Sequence, residues 1–246
     1  MINGVIAAAK KVVAKKTKKV TAVIVAAGKS ERMKGMDKIF MPVGDEPLIA
    51  ETVSVFEKCE DIDEIILVLK EDSCERGEML VKMHGFTKVA ACIPGGETRA
   101  ESSYIGVRAA NKKSNYIVIH DGARPMVTDE MITSAVDAAV KHGAATAAIP
   151  VTSTVKRCVG GVVSETVDRS DLYEIQTPQA FRSDVIKAAL KNAVDKKLEI
   201  TDDCMAVEAI GLMPKIVMGS RNNIKVTVRE DAAIVKALME NRRTEK

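Results

Sequence analysis

The sequence predicts a single α/β domain whose sheet is mainly parallel and from which a β-hairpin arm projects. Short β-branched, apolar runs alternate along the chain with longer segments of helical periodicity, the pattern of a parallel sheet covered by helices on both faces. The 246 residues, 46% hydrophobic and 29% charged, suit one folded domain with a sizeable core. One segment, residues 155–168, departs from the alternation and has the pattern of a hairpin.

The strands are predicted from their apolar character. The first, VTAVIVA at residues 20–26, is almost wholly apolar, as expected of a central strand that is buried on both faces. The other strands are predicted at residues 64–69, 88–93, 116–120, 144–151, 215–218 and 225–227.

The helices are predicted from apolar residues three and four positions apart and from their capping residues. In residues 128–141, for example, Thr128 is placed to cap the start and Gly143 follows the end. The other helices are predicted at residues 47–59, 98–111, 183–194, 202–210 and 230–241. Because no linker or repeat divides residues 20–246, we expect one domain with its ligands beyond the carboxyl ends of the strands.

The arm at residues 155–168 is predicted from alternating residues around Gly160-Gly161, a pair that favours a tight hairpin turn. A two-stranded hairpin is only marginally stable in water by itself. We therefore expect the arm to pack on another surface, and a second copy of the chain is the simplest candidate.

The charge of the chain is unevenly distributed. The formal net charge is +3, but residues 1–19 hold six lysines and no acid, so subtracting those six leaves −3 for residues 20–246. A mildly acidic body argues against nucleic-acid binding, and the absence of Trp argues against base-stacking platforms. Residues 1–19 are predicted to be a flexible basic extension, with a small helix on an anionic surface as the alternative.

The cysteines and histidines exclude further classes of protein. The five cysteines form no C-x-x-C motif, and their odd number is typical of free thiols in a reducing compartment. The three histidines are scattered, which disfavours a His-rich metal centre. No apolar run reaches the roughly 18 residues of a membrane span, and the N-terminus lacks the charge-first order of a signal peptide. We expect a cytoplasmic protein without a membrane partner.

The loop after the first strand has the properties of a polyphosphate site. It reads AAGKSERM at residues 26–33 and is followed by Lys38. Gly28 permits a close approach to the backbone, and Arg32 and Lys38 add two cations. The glycine spacing fits neither the Walker A pattern nor the dinucleotide-binding pattern. Taken alone, the loop is equally well interpreted as a glycine turn with solvated charges.

Two later loops also follow predicted strands. The adjacent glycines at 95–96 would let a base or ribose lie directly on the backbone, and Ser102, one helical turn later, is placed to form a hydrogen bond with the edge of a base. The alternative interpretation of this segment is a flexible turn followed by a helix cap. Asp121 ends a strand beside the phosphate loop, a natural place for Mg²⁺, which takes one or two carboxylates together with phosphate oxygens. The neighbouring His120 is predicted to be buried and structural rather than catalytic.

Seven segments together resemble the family of 2-C-methyl-D-erythritol 4-phosphate cytidylyltransferases. They are AAGKSERM with Lys38, GGETRAES, HDGARP, PVTSTVKR, Arg169 with TPQ, TDD and NNIKVT, and they run in family order over residues 20–233. The resemblance implies a Rossmann-like nucleotidyltransferase fold, a homodimer formed through the arm, and dependence on Mg²⁺ or another divalent cation. It also implies the transfer of CMP from CTP to methylerythritol phosphate with release of pyrophosphate, in the non-mevalonate pathway of isoprenoid biosynthesis.

The resemblance further implies a role for each matching residue. The implied catalytic residues, which hold the triphosphate and reach its α-phosphate, are Arg32, Lys38 and Lys225. The implied CTP-binding residues are Ala26, Ala27, Gly28, Gly96, Glu97, Ser102 and Asp121, of which Asp121 is also the metal ligand. The implied residues for the sugar-alcohol phosphate are Arg124, Thr154, Arg169 and Thr177, with Arg124 and Thr154 reaching it from the partner subunit.

The match shows departures and leaves alternatives open. Lys29, Ser30 and Glu31 stand where many members carry small or basic residues, Glu97 stands where aspartate is frequent, and residues 1–19 have no counterpart. A sister enzyme acting on ribitol 5-phosphate is the nearest alternative. A nicotinamide dehydrogenase is disfavoured by the broken glycine pattern. A non-catalytic nucleotide sensor is disfavoured because the implied catalytic lysines and Asp121 are all retained.

Overall fold

The computed structural model describes residues 18–28 and 38–244. The predictions for the basic extension up to residue 17, for the departures at 29–31 and for Arg32 lie outside the described residues. Lys18 and Lys19, which end the predicted extension, are bound to the body. The Lys18 ammonium lies 3.0 Å from Asp137, and the Lys19 N–H donates to the Asn115 side chain at 2.9 Å.

In the described part of the chain, seven strands form the main sheet, in the order β11-β7-β10-β6-β1-β4-β5. In chain order the strands are β1 (Val20–Val25), β2 (Pro42–Val43), β3 (Glu46–Pro47), β4 (Glu64–Leu69), β5 (Val89–Pro94), β6 (Tyr116–Asp121), β7 (Ala144–Pro150), β8 (Val155–Val159), β9 (Val162–Val167), β10 (Tyr173–Arg182) and β11 (Lys215–Met218). Neighbours in the main sheet are parallel except around β10, which is antiparallel to both β6 and β7. The pairs β2–β3 and β8–β9 form separate two-stranded sheets.

Helices cover both faces of the main sheet. They are α1 (Leu48–Lys58), α2 (Cys74–His84), α3 (Arg99–Ala109), α4 (Asp129–His142), α5 (Ser183–Asp195), α6 (Asp203–Glu208) and α7 (Arg229–Thr244). Helices α1, α2 and α4 pack on one face, and α3, α5 and α6 pack on the other. Alternate residues of β1 join the two cores, Ala22 and Ile24 on the first side and Val23 on the second, which explains its unbroken apolar run.

Helix α7 packs on a third, smaller core beside the small β2–β3 pair. Its Val235 and Met239 are buried with Val43, Leu48 and Val226. This core holds the segment after β11 against the loops at the carboxyl edge of the main sheet, so the C-terminus helps to shape the site described below.

Sequence patterns predicted most of these elements, were wrong at one strand, and were silent at the short β2–β3 pair, helix α2 and strand β10. The strand predicted at 225–227 is absent; Val226 instead donates one backbone hydrogen bond to the Ala123 carbonyl at 2.8 Å. Helix α2 was not predicted, because its sequence is rich in charge and includes Gly77. Strand β10 was not predicted, because a bulge between Ile175 and Gln179 takes Pro178 and its polar neighbours off the ladder.

The predicted hairpin is present as β8 and β9. Gly160 and Gly161 form its turn with positive φ angles of 57° and 81°, a conformation that glycine adopts without a steric penalty. Most residues of both strands are exposed. No helix in the described parts of the chain is long and apolar enough to cross a membrane.

Candidate active site

A cleft of about 470 Å³ opens at the carboxyl edge of the sheet. The segments after β1, β5 and β6 meet there, and the segment after β11 closes one side. The predicted site residues that line it are Ala26, Ala27, Gly28, Lys38, Gly96, Glu97, Ser102, Asp121 and Lys225. Residues that lie up to about 200 positions apart in the chain therefore line one cleft, as the rule for parallel sheets leads us to expect.

Close backbone packing forms one wall of the cleft. A Cβ atom added at Gly95 would lie 2.4 Å from the Cβ of Ala27, so only glycine fits there. The Ser102 hydroxyl accepts the Gly96 N–H at 3.2 Å and donates to the Thr98 carbonyl at 2.9 Å. Ser102 therefore fixes the shape of the glycine loop from inside.

Helix α3 begins at this wall with a complete capping box. Thr98 accepts the Glu101 N–H at 3.1 Å, and the Glu101 carboxylate accepts the Thr98 N–H at 3.0 Å. The positive end of the helix dipole thus faces the cleft, which favours an anionic ligand there.

Asp121, the last residue of β6, is the centre of a cluster of cations. Its Oδ1 lies 2.8 Å from Arg99, and its Oδ2 lies 2.9 Å from Lys225 and 3.2 Å from Arg124. Burial alone raises the pKa of the Asp121 carboxyl, but the three cations outweigh burial and hold that pKa well below its usual range. Asp121 is therefore a carboxylate at neutral pH.

The segment that follows β11 positions both Lys38 and Lys225, because it contains Lys225 and binds the Lys38 side chain. The Lys38 ammonium donates to the Val226 carbonyl at 3.0 Å. The Asp231 carboxylate accepts the backbone N–H groups of Thr227 at 2.7 Å and Val228 at 3.0 Å, which fixes the start of α7 and the segment before it. The positions of the two lysines thus depend on one short segment.

His120 is structural, as predicted. It is fully buried, its Nδ1 lies 3.0 Å from the Thr177 hydroxyl, and its Nε2 lies 3.2 Å from the Arg124 carbonyl. Because the same hydroxyl accepts the Asp121 N–H at 3.1 Å, its own proton goes to Nδ1, and Nε2–H donates to the carbonyl. Burial lowers the pKa of His120 to about 4, so the ring is neutral and holds the loop after β6 in place.

The four predicted residues for the sugar-alcohol phosphate do not line the cleft of one chain. Arg124 lies beside it, bound to Asp121 and to the Asn223 carbonyl at 2.8 Å. The Thr177 side chain is buried with its hydroxyl already engaged. Thr154 and Arg169 are exposed at the base of the arm, where Arg169 donates to the Thr152 carbonyl. Their contacts with a substrate stay predictions.

Sequence reasoning missed four charged residues in or beside this site, Arg99, Asp203, Lys70 and Glu71. Arg99 joins Asp121 to Asp203, the first residue of α6, with its second amino group 2.7 Å from the Asp203 carboxylate. Arg99 and Asp203 belong to segments that carry the family resemblance, GGETRAES and TDD, but no role was implied for either residue. Asp202 does cap α6, by accepting the Met205 N–H at 3.0 Å. Lys70 and Glu71, after β4, also line the cleft and were not predicted.

Comparison with known proteins identifies the family. The family model for 2-C-methyl-D-erythritol 4-phosphate cytidylyltransferase matches residues 20–241. A protein of that name from Alkaliphilus metalliredigens is 39% identical over 230 residues, covering 92% of this chain and 95% of its own. One from Dehalococcoides mccartyi is 41% identical over 226 residues, covering 92% and 98%.

Solved structures agree with this result. The 4-diphosphocytidyl-2C-methyl-D-erythritol synthase of Anaerococcus prevotii superposes with a TM-score of 0.81 at 29% identity, covering 91% of this chain and 99% of its own. The 2-C-methyl-D-erythritol 4-phosphate cytidylyltransferase of Thermus thermophilus superposes with a TM-score of 0.75 at 27% identity, covering 89% and 98%. The predicted nucleotidyltransferase fold with its mainly parallel sheet is confirmed.

These matches also decide between the interpretations that the sequence left open. The predicted resemblance and the enzyme class, a nucleotidyltransferase, are confirmed, and the ribitol phosphate alternative is not favoured. Because the family model spans nearly the whole body and its relatives share about 40% of their residues with it, the chain belongs to the family of 2-C-methyl-D-erythritol 4-phosphate cytidylyltransferases.

Proposed function

We propose that this chain transfers CMP from CTP to 2-C-methyl-D-erythritol 4-phosphate, a step of the non-mevalonate route to isoprenoids, and that the transfer takes place in the cleft. The observation that carries the site assignment is the position of Asp121 among three cations, Arg99, Arg124 and Lys225, in a cleft that Lys38 also lines. A ligand with several negative charges fits this arrangement better than a neutral one does.

The reaction requires control of charge more than proton transfer. A phosphate oxygen of methylerythritol phosphate attacks the α-phosphorus of CTP and forms a new O–P bond. The bond from the α-phosphorus to the oxygen that bridges it to the β-phosphate breaks, and pyrophosphate leaves with that oxygen. The nucleophile is already anionic at neutral pH, so no general base is needed, and catalysis consists of positioning and of neutralising repulsion between phosphates.

The residues of the chain divide this work by their places in the cleft. Lys38 holds the triphosphate beside the backbone at Gly28, and Lys225 reaches the α-phosphate from the opposite side. The glycine loop receives the cytosine against bare backbone at Gly96, and its shape depends on the Ser102 hydrogen bonds given above. We also assign contacts with CTP to Ala26, Ala27 and Glu97, and binding of the triphosphate to Arg32.

The donor set at Asp121 fits Mg²⁺. Mg²⁺ takes few protein ligands and keeps its waters and the phosphate oxygens of the nucleotide, so one carboxylate at the cleft suffices. The described residues include no group of three or more His, Cys, Asp or Glu side chains that could hold a metal ion. When bound, the ion neutralises charge on the phosphate oxygens. Asp121 is the residue to which we assign it.

A second copy of the chain would complete the substrate half of the site. Thr154 and Arg169 lie at the base of the arm, and the tip of the arm exposes the large apolar side chains of Val159, Val162 and Val163. Exposed apolar groups of this kind mark surfaces that pack on a partner. We propose a homodimer formed through the arm.

The dimer is tested with Val162→Asp, which places a charge on the arm tip. We expect sedimentation analysis to show monomers for this variant and dimers for the parent chain, with unchanged circular dichroism for the fold. A parent chain that is monomeric at micromolar concentration, or a variant that still dimerises fully, would remove the arm from the interface.

The transfer is tested by measuring pyrophosphate release from the full chain with Mg²⁺, methylerythritol phosphate and each of CTP, ATP, GTP and UTP. We expect turnover with CTP above all, and mass spectrometry should identify CDP-methylerythritol. Ribitol 5-phosphate replaces methylerythritol phosphate in a matched reaction. Equal turnover with ribitol phosphate, or no pyrophosphate with either acceptor, would contradict the proposed substrate.

We also propose that the enzyme works in the cytoplasm. The five cysteines are all free thiols, and burial raises the pKa of Cys92 to about 11 and that of Cys59 to about 12. The thiols of Cys59 and Cys92 are poorly reactive for this reason, and cysteines that stay unpaired suit a reducing compartment. Fractionation of cells followed by immunodetection tests this location.

A further inference from the structure

Arg99 occupies a fixed position at the edge of the cleft. It is the first residue of α3, and the capping box between Thr98 and Glu101 fixes the backbone on which it stands. Its guanidinium then extends to two carboxylates from distant parts of the chain, Asp121 at 2.8 Å and Asp203 at 2.7 Å.

Asp203 has no direct access to a ligand in the cleft. Its side chain is 0% exposed, and it is not among the residues that line the cleft. Its backbone N–H donates to the Gln179 side chain at 3.1 Å, and the same side chain donates to Asp202 at 2.9 Å. Asp203 is therefore held rigidly at the start of α6, and any effect it has on the reaction passes through Arg99.

Stability by itself is a poor explanation for this buried arrangement. Buried ion pairs recover their desolvation cost only when their remaining polar atoms are also satisfied. Among the described atoms, Arg99 Nε and Asp203 Oδ1 are buried without hydrogen-bond partners. An incompletely satisfied charged unit that touches the central carboxylate of a cleft calls for a functional explanation.

The three cations on Asp121 also differ in freedom. Arg99 is held at its far side by Asp203, and Arg124 is held by the Asn223 carbonyl. Lys225 lines the cleft with a side chain that is 39% exposed, so it can leave Asp121 for a phosphate without being pulled out of a buried pocket. Arg99 alone contacts Oδ1 in the contacts described, whereas Arg124 and Lys225 share Oδ2.

We propose that Arg99 is a positioning residue that fixes the Asp121 carboxylate for the metal–nucleotide complex, with Asp203 as its anchor. This inference rests on the proposed function, since it concerns the same reaction. Arg99 binds Oδ1 and so keeps the Asp121 carboxylate in one orientation. Lys225 meanwhile moves from Oδ2 of Asp121 to the phosphates of the incoming substrates. Arg99 itself contacts neither CTP nor the acceptor in this assignment.

The experiment uses Arg99→Lys, which keeps the charge but loses the planar fork that reaches two carboxylates at once. Arg182→Lys is the matched control, because Arg182 makes a two-pronged pair with Asp184 on the surface, far from the cleft in the fold. Two quantities are measured on the full chain: binding of Mn²⁺ with CTP in the absence of acceptor, by calorimetry, and the Mg²⁺ dependence of pyrophosphate release.

We expect Arg99→Lys to weaken binding of Mn²⁺ with CTP about 10- to 100-fold and to raise the Mg²⁺ requirement by a similar factor, as for other residues that orient a metal ligand. The KM for methylerythritol phosphate should stay within about twofold of the parent value in Arg99→Lys. The control Arg182→Lys should likewise change no measured quantity by more than about twofold. Unchanged Mn²⁺–CTP binding and an unchanged Mg²⁺ requirement in a folded Arg99→Lys chain would overturn the proposal.

A second variant keeps the test valid if Arg99→Lys folds poorly. Asp203→Asn removes only the anchor of Arg99, and we expect it to weaken Mn²⁺–CTP binding and to raise the Mg²⁺ requirement by roughly tenfold or less. Adding Asp203→Asn to Arg99→Lys should have little further effect on either quantity. Independent, multiplying effects of the two substitutions would contradict action through Arg99. Failure of the proposed function is a separate result, because the unaltered chain would then release no pyrophosphate at any Mg²⁺ concentration.

Discussion

The cleft and the arm both carry arginine–carboxylate pairs, but only those in the cleft are buried. Around Asp121 the paired side chains are at most about one-fifth exposed apart from Lys225, and Asp203 is fully buried. In the arm, Arg157 and Glu165 pair with 66% and 54% of their side chains exposed. Charges interact strongly only where water is excluded, so the ion pairs of the cleft are strongly coupled and the exposed pair of the arm contributes little.

Removing a cation from the cleft should have the largest effect. Lys225→Ala and Lys38→Ala should each lower kcat about 10²- to 10³-fold, roughly 3–4 kcal/mol, because each removes a preorganised charge that offsets repulsion between phosphates. Steady-state pyrophosphate release measures the loss. Lys191→Ala is the control, since Lys191 makes an exposed pair with Asp195 within α5. Turnover near the parent rate in either cleft variant would remove that lysine from the catalytic set.

The backbone of the cleft should be the next most sensitive feature. In Gly95→Ala the new Cβ would lie 2.4 Å from Ala27 and 2.8 Å from the Ser102 hydroxyl, so we expect a loss of about 1–3 kcal/mol in stability and much weaker CTP binding. Gly28→Ala provides the comparison, because its Cβ would meet nothing within 4 Å. Thermal unfolding should be unchanged in Gly28→Ala, and calorimetry with CTP should show whether the ligand needs that space. Equal melting temperatures for Gly95→Ala and the parent would contradict the packing described here.

Asp231 connects the cleft lysines to the fold, and its effect should depend on pH. Burial alone raises its pKa, but the hydrogen bonds from Thr227 and Val228 and the nearby Lys38 lower that pKa below the ordinary value of 3.8. A carboxyl with a lowered pKa contributes stability above its ordinary pKa and loses that contribution as the pH falls below it.

Asp231→Asn should therefore lower the free energy of unfolding by about 1–2 kcal/mol at pH 7, as for the loss of a helix cap. The difference from the parent should shrink as the pH falls below 3.8. Urea unfolding of both chains at pH 7, 5 and 3.5 measures this change. A difference that stays constant over this range would mean that the charge of Asp231 does not matter.

The sequence predicted the parts of the cleft that depend on local pattern and missed those that depend on assembly. Apolar runs located the strands, and the loops after them pointed to Gly28, Lys38, Gly96, Ser102 and Asp121. The roles of the other predicted residues that line the cleft were implied only by the family resemblance; these are Ala26, Ala27, Glu97 and Lys225. Arg99 and Asp203 were missed as a pair because they lie 104 positions apart and meet only in the folded chain, where Gln179 of the antiparallel strand β10 holds Asp203. That strand was itself hidden, because its buried polar residues are satisfied by tertiary hydrogen bonds that no local pattern reveals.

The smallest effect is expected in the arm. Arg157→Ala should change the free energy of unfolding by no more than about 0.5 kcal/mol, because an exposed pair is screened by water and held at an entropic cost. Urea unfolding at two protein concentrations, tenfold apart, measures both the size of the effect and its dependence on association. A loss above about 1 kcal/mol that grows with protein concentration would show that the arm is covered by a second copy. The contrast between cleft and arm would then hold only for the isolated chain, and the arm pair would belong with the buried ones in the assembled enzyme.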